Sequence, residues 1–426
     1  PKPTPTPETT PTPAPTDYFG QRVRDNLFMD QATIRLVSFS GGIDPARRLE
    51  SRPAAARVRP ERKSPPGRGV LAGLSLTLTE RCNWRCRYCP RVRGTNTLEA
   101  GTLDQACAAL FPYLSSSPLI QFCGGEPLLA FHLIRRAIEQ LEKRSRDSRT
   151  LPRYSLTTNG SLLRPEVLSF LDAHRFALML SFDGPSQDQE RRKGSYRRLT
   201  ALLDKLPAYP GIRPATNSVF GPRTVGTLAD TIAFLVDRRV PEILVSFDLT
   251  VPWPTAALNR LSDGLRAAAD ALLDYARPGE DVPLLNLRRP PAPGIFVCPA
   301  GRDRLALDPE GRLWGCYRFV DFHRAHPRPD VLRRFCFGTV ADFVRAGGNP
   351  DPRIQAAYSG GRMDLAQTRE RPCAGCAWLD RCAFCPPAAA MKSGILGLVP
   401  VAHCRISRIV ITERERFWRR AAVPES

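Results

Sequence analysis

Six short apolar runs, each leading into a polar loop and then a helical stretch, organise the middle of this chain. Residues 74–79 (Leu-Ser-Leu-Thr-Leu-Thr) alternate in polarity and read as a first strand. Residues 118–122 (Pro-Leu-Ile-Gln-Phe), 153–157, 176–182, 212–220 and 242–248 (Glu-Ile-Leu-Val-Ser-Phe-Asp) supply five more. Helical periodicity fills the gaps, over 102–115, 129–144, 164–174, 196–206, 226–238 and 260–276. Strands alternating with helices predict a parallel sheet covered by helices. Every polar motif is read as falling just after a strand, at the edge where α/β folds carry their chemistry.

The first of those loops holds Cys82, Cys86 and Cys89 in the run Arg81-Cys-Asn-Trp-Arg-Cys-Arg-Tyr-Cys-Pro90, a C-x3-C-x2-C spacing. Three thiolates are one too few for a cube of four irons, so a [4Fe-4S] cluster held this way keeps one iron open to an outside ligand. An open position is what separates catalytic from structural metal sites. Taken alone, the spacing also suits part of a zinc site. The second strand ends in Cys123-Gly-Gly-Glu-Pro127, where glycines permit close backbone approach and Glu126 can accept hydrogen bonds from an ammonium. Thr158-Asn-Gly160 follows the third strand and Asp183-Gly-Pro185 the fourth, while Asn217 lies within the fifth. Each of these polar residues suits a turn or cap as well as a ligand.

Together the motifs resemble those of the radical SAM enzymes, including the aromatic Tyr88 before the last cysteine. The resemblance implies a partial (β/α)6 TIM-like barrel. It also implies S-adenosylmethionine (SAM) chelated to the open iron of a [4Fe-4S] cluster on Cys82, Cys86 and Cys89, and an electron that splits the sulfonium to a 5'-deoxyadenosyl radical. Gly124, Gly125 and Glu126 would then hold the methionine amine. Tyr88, Asn159, Ser181, Asp183 and Asn217 would be further SAM contacts, Ser181 and Asp183 meeting the ribose. Arg191, Arg192 and Lys193 compete to meet the carboxylate, and Arg192 is the expected one.

The C-terminal third carries a second cysteine array: Cys298, Cys316, Cys373, Cys376, Cys382, Cys385 and Cys404. Leu305–Asp308, a Pro-Glu-Gly turn and Arg312–Cys316 read as a hairpin, with Gly311 where a positive φ is needed, returning Cys316 toward Cys298. The array resembles the SPASM domain, a small cysteine-rich Fe–S domain that many radical SAM enzymes carry. That resemblance implies two auxiliary [4Fe-4S] clusters, one on Cys298, Cys316 and Cys385, the other on Cys373, Cys376, Cys382 and Cys404. The gap before Cys385 is two residues where the family usually has three. Zinc knuckles are the alternative, although paired C-x2-C motifs separated by five residues suit zinc poorly. Cys336 sits in an apolar run and reads as a buried thiol, Cys107 as core and Cys123 as packing.

Three regions are expected: 1–70, a Pro/Arg-rich extension or linker; 71–286, the barrel; and 287–426, the cysteine-rich domain. No apolar run reaches a membrane-spanning length, and nothing resembles a secretory signal, so a cytoplasmic protein is expected. Of 426 residues, 62 are Lys or Arg against 42 Asp or Glu, a net charge of +20 that suggests an acidic partner. No nucleic-acid-binding motif supports RNA. The leading expectation is C–H abstraction from a ribosomally made peptide or protein, with a flavodoxin- or ferredoxin-like electron donor. The alternatives are a sugar or aminocyclitol dehydrogenase, a formylglycine-forming sulfatase maturase, and a non-catalytic Fe–S protein binding peptide or RNA. Tyr317 stands after Cys316, where the maturases place an aspartate. Asp248 and Asp321 are candidate bases by position.

Overall fold

The computed structural model describes residues 71–275, 282–289, 300–348, 351–359, 373–379, 381, 382 and 385–422. Cys298 and the expected extension over 1–70 lie outside them. Six parallel strands come first: β1 (Leu71–Thr79), β2 (Leu114–Gly124), β3 (Arg153–Thr158), β4 (Ala177–Ser181), β5 (Arg213–Phe220) and β6 (Glu242–Phe247). They lie side by side in chain order. The helices between them are α1 (Ala100–Leu110), α2 (Phe131–Ser145), α3 (Pro165–Ala173), α4 (Gln187–Glu190), α5 (Ser195–Lys205) and α6 (Leu228–Asp237), with α7 (Thr255–Ala271) after β6. The result is the largely parallel α/β sheet that the strand–helix alternation predicts, in keeping with the half-barrel that the resemblance implies.

The polarity alternation in β1 has a direct cause. Leu74, Leu76 and Leu78 are buried in the main apolar core, beside residues of α1 and α2 such as Leu103 and Ile134. The other face carries small polar groups in register across strands. Ser75 lies opposite Gln121 and donates to its side chain at 3.0 Å; Thr77 lies opposite Cys123, 3.7 Å from its thiol. Gln121 in turn lies opposite Ser155. One face packs under helices while the other lines the concave side of the sheet.

The sheet does not stop at the half-barrel. Strands β7 (Arg304–Leu307), β8 (Arg312–Trp314) and β9 (Cys336–Thr339) extend it beyond β1, in the order β6-β5-β4-β3-β2-β1-β7-β8-β9. β7 runs parallel to β1, and β8 is antiparallel to β7, as the hairpin reading requires. Gly311 has φ +77°, and the buried Asp308 carboxylate holds the turn, accepting from the Glu310 and Arg312 N–H groups and the Trp314 indole. Helices α8 (Tyr317–Ala325), α9 (Pro329–Phe335), α10 (Val340–Arg345), α11 (Pro352–Ser359), α12 (Pro386–Ala390) and α13 (Val401–Ala421) complete the described chain. α13 lies against α7 through Arg416–Asp270 at 3.0 Å and Arg266–Glu413 at 3.0 Å. Among the described residues no helix is long and apolar enough to cross a membrane.

Candidate active site

The cysteine loop leaves β1 at Thr79 with almost no regular structure of its own, so its shape depends on what ties it down. Buried Trp84 anchors its middle in the core. At the end of β2, the Gly125 N–H donates to Thr79 O at 2.8 Å and the Glu126 N–H to Arg81 O at 2.9 Å. This contact explains the glycines. A Cβ on Gly124, whose φ is +135°, would stand 2.4 Å from Thr79 O, and one on Gly125 would stand 2.2 Å from Arg81 O. The close approach that Gly-Gly permits is to the base of the cysteine loop itself.

At the end of β3, Asn159 donates from its amide to Asn83 Oδ1 at 2.9 Å, and Asn83 donates to the Ser161 hydroxyl at 2.8 Å. The Asn159 side-chain oxygen accepts from Ser161 N–H at 2.9 Å, so this amide is engaged on both sides by the protein. At the end of β4, the Tyr88 hydroxyl donates to Asp183 at 2.6 Å. Asp183 is fully buried and also receives two bonds from the Arg191 guanidinium, at 2.7 and 2.8 Å, and one from Val219 N–H at 2.8 Å. Burial works against the Arg191 charge, but Asp183 and Tyr88 outweigh it and hold the pKa above the usual arginine value. Burial pushes the Tyr88 phenol well above its ordinary value, against the pull of Arg191.

Of the three basic residues in sequence, Arg191 is therefore the one turned into the site; Arg192, the expected carboxylate contact, is exposed. The short α4 sets this register: Arg191 is its C-cap and turns its guanidinium to Asp183, while Arg192 faces outward. Ser181 is half-buried at the end of β4, opposite Asn217 on β5. Asn217 lies inside its strand, and its side-chain oxygen accepts from Ser246 at 2.7 Å. Sequence reasoning passes over Asn83 and Ser161 as site residues, and of the three competing basic residues it favours Arg192 over Arg191. Asn83 carried a usable signal, a polar amide within the cysteine motif.

Glu126 stands apart from these ties. Its carboxylate is buried and accepts from Asn159 N–H at 2.8 Å, the Thr158 hydroxyl at 2.7 Å and Leu128 N–H at 3.1 Å. Among the described residues no cationic side chain pairs with it. Burial pushes its pKa up to about 7 against the pull of those three donors. Its charge also opposes ionisation of Cys82, so carboxylate and thiols share one locality. The Cys82 thiol is raised chiefly by burial, and Cys86 is pushed up to about 11 by burial, with Cys89 and Cys82 adding to it. Among the described residues no group of three or more His, Cys, Asp or Glu side chains is arranged to hold a metal ion. The thiols are nonetheless close enough to feel one another's charge.

The C-terminal region reaches the same loop. Arg91, two residues past Cys89, pairs with Asp321 of α8 at 3.2 Å, and Arg324 of α8 pairs with Glu80 at 2.6 Å. Asp321 is thus held by an arginine. Asp248, the other candidate base, accepts from the backbone N–H and hydroxyl of Thr250 in a turn. The hairpin brings Gly315 to Gly301, whose N–H donates to Gly315 O at 3.1 Å, so Cys316 adjoins the segment that follows Cys298. Burial pushes Cys382 up to about 11, and Cys404, Cys373 and Cys376 add to the shift, which places these four thiols together. Cys385 lines a separate cavity of about 170 Å³ with His403 and Ser407. Cys107, Cys123 and Cys336 are buried. None of the described cysteines is in a disulfide.

The cysteine loop and the ends of β1 to β4 lie within one stretch of the chain that matches a known family. Residues 76–235 match the Radical SAM superfamily, and the chain carries a radical SAM domain. GTP 3',8-cyclase of Mycobacterium ulcerans is 34% identical over 159 residues, 35% of this chain and 43% of that protein. GTP 3',8-cyclase 2 of Mycobacterium tuberculosis is 28% identical over 233 residues, 53% of this chain and 61% of that one. The chain therefore spans about half the length of these curated relatives. Among solved structures, anSMEcpe with bound AdoMet and Cp18Cys peptide shares the fold with a TM-score of 0.61 at 15% identity, covering 82% of this chain and 99% of that one. Streptococcus suis SuiB bound to precursor peptide SuiA gives 0.53 at 14%, covering 79% of this chain and 76% of that one.

Proposed function

We propose that this chain is a radical enzyme that uses S-adenosylmethionine to abstract hydrogen from an unactivated carbon of a ribosomally made peptide or protein. The observation that carries the reading is Glu126: a buried carboxylate with three hydrogen-bond donors, no cationic partner among the described residues, and three thiols nearby. A ligand ammonium is the group this arrangement lacks. Cys82, Cys86 and Cys89 would hold a [4Fe-4S] cluster, which when bound supplies the electron that cleaves the sulfonium. The thiol set fits such a group, because three thiols on one loop, close enough to feel one another's charge, can hold a four-iron cube and leave one iron open. Glu126 would receive the methionine amine. The Asn83–Asn159–Ser161 and Tyr88–Asp183–Arg191 groups hold the loop in place around it. Cys373, Cys376, Cys382 and Cys404 would hold one auxiliary cluster, and Cys298, Cys316 and Cys385 another. A flavodoxin- or ferredoxin-like protein would deliver the electron, in the cytoplasm.

The peptide substrate is supported by a fold shared, across the barrel and the C-terminal region, with two proteins solved holding peptides. A second reading, a nucleotide substrate, is supported by the cyclase relatives. Anaerobic reconstitution followed by dithionite and SAM tests the common core: release of 5'-deoxyadenosine is expected, and none from a protein of full iron content would refute it. Stimulation of release by GTP and not by peptides encoded beside the gene would favour the nucleotide reading. About twelve irons per chain are expected for three four-iron clusters.

A further inference from the structure

A cleft of about 600 Å³ opens between the loop that follows β6 and the segment that enters α13. Its walls are apolar: Leu249 and Trp253 on one side, Leu398 and Val401 on the other, Val401 being 43% exposed. Its polar rim is of one sign. Lys392 and Arg405 line it, no acidic residue does, and neither cation has a carboxylate partner among the described residues. Elsewhere along α13, Glu415 pairs with Arg381 and Arg416 with Asp270. The first turn of α13 adds no acidic residue. Leu249 lies two residues beyond the end of β6, so the cleft opens at the sheet edge that also carries the cysteine loop and Glu126.

We propose that this cleft is a docking groove for an acidic segment of the peptide substrate, with aliphatic side chains seated between the walls and neighbouring carboxylates on Lys392 and Arg405. The inference rests on the peptide reading above and gives it a recognition site. An apolar floor with unpaired cations at its rim matches a chain of alternating aliphatic and acidic residues. It does not match this chain's own first 70 residues, where 12 Lys or Arg outnumber 7 Asp or Glu. Nor does it suit single-stranded nucleic acid, which binds through stacked aromatic platforms along a basic track; Trp253, the one aromatic lining it, is itself buried.

The test is fluorescence anisotropy on the full reconstituted chain with a labelled octapeptide of alternating Glu and Leu. The Gln–Leu and Glu–Ser octapeptides are expected to bind at least tenfold more weakly. The double reversal K392E/R405E is expected to weaken Glu–Leu binding at least tenfold and to bind a Lys–Leu octapeptide in its place. Should the reversal fail to fold, K392Q/R405Q is expected to lose the preference for Glu over Gln. Equal binding of the three peptides, tighter binding of an oligothymidylate at the same site, or unchanged Glu–Leu binding by the variants would overturn the groove. The readout involves no turnover, so it separates from the radical chemistry. Release of 5'-deoxyadenosine without peptide preference defeats the groove alone, and peptide preference without release defeats the radical reading alone.

Discussion

Replacing Glu126 with glutamine isolates the cost of keeping a carboxylate buried without a cation. The group is raised from its usual 4.5 to about 7 in the folded chain. An acid with a raised folded pKa holds its proton more tightly when folded, so stability falls as pH climbs through the interval between the two values and is flat above it. Integrating that interval gives roughly 2.5 kcal/mol lost between about pH 5 and about pH 8 from this group alone. The glutamine variant cannot titrate, but its amide meets a donor where a carboxylate oxygen stood, at a cost of about 1–3 kcal/mol. That offset is the same at every pH. The diagnostic quantity is therefore the wild-type-minus-variant difference, which should shift against wild type by about 2.5 kcal/mol from acid to mild alkali. Urea unfolding of the metal-free chain, followed by circular dichroism across that range, measures it. Parallel stability curves would refute the account of Glu126. In the reconstituted protein the same variant should bind SAM about 10- to 100-fold more weakly, the worth of a charge-assisted bond.

Asp183→Ala strands the Arg191 guanidinium, whose side chain is 6% exposed, and should cost about 3–5 kcal/mol in urea unfolding. Adding Arg191→Met should recover part of that loss, since an apolar pair of similar volume replaces an unpaired charge. Gly125→Ala forces a Cβ to 2.2 Å from Arg81 O and should cost about 1–3 kcal/mol and lower iron uptake. Gly101→Ala, in α1 with nothing within 4 Å of the new atom, should stabilise by about 0.5–1 kcal/mol. Cys382→Ala should remove about four irons per chain, whereas Cys336→Ala, a buried thiol near Gly338 O, should leave the iron count unchanged.

Much of this architecture was legible because it is local. The six strands begin and end within a few residues of the apolar runs, and Gly311 announces its turn by composition. What failed to show was set at a distance. The helix expected over 102–115 stops at Leu110, because Pro112 sits in a short 3-10 turn and Leu114 then enters β2, with Ser115–Ser117 in the register shift between the Leu71–Leu114 and Gly73–Leu119 pairs. The parallel pairing of β7 with β1 joins residues more than two hundred positions apart, so the hairpin read as part of a separate C-terminal region is continuous with the barrel sheet. In the site, the residue types were readable and their partners were not. Three consecutive basic residues cannot be told apart until a four-residue helix fixes which one points inward.

The ties around the cysteine loop have a common logic. A loop without backbone ladders can be made rigid only by side chains and strand ends around it. Here the ends of β2, β3 and β4 and the helix α8 each hold a different part: Arg81 by Glu126 N–H, Asn83 by Asn159 and Ser161, Tyr88 by Asp183, and Arg91 by Asp321. Because the holders belong to separate elements, the thiols' positions follow the register of the whole sheet. Glu126 contributes one of those ties through its backbone and presents through its side chain a carboxylate with no cationic partner among the described residues. The thiol set and the carboxylate are thereby fixed to one frame, and a ligand that engaged both would find their separation already set when it arrived.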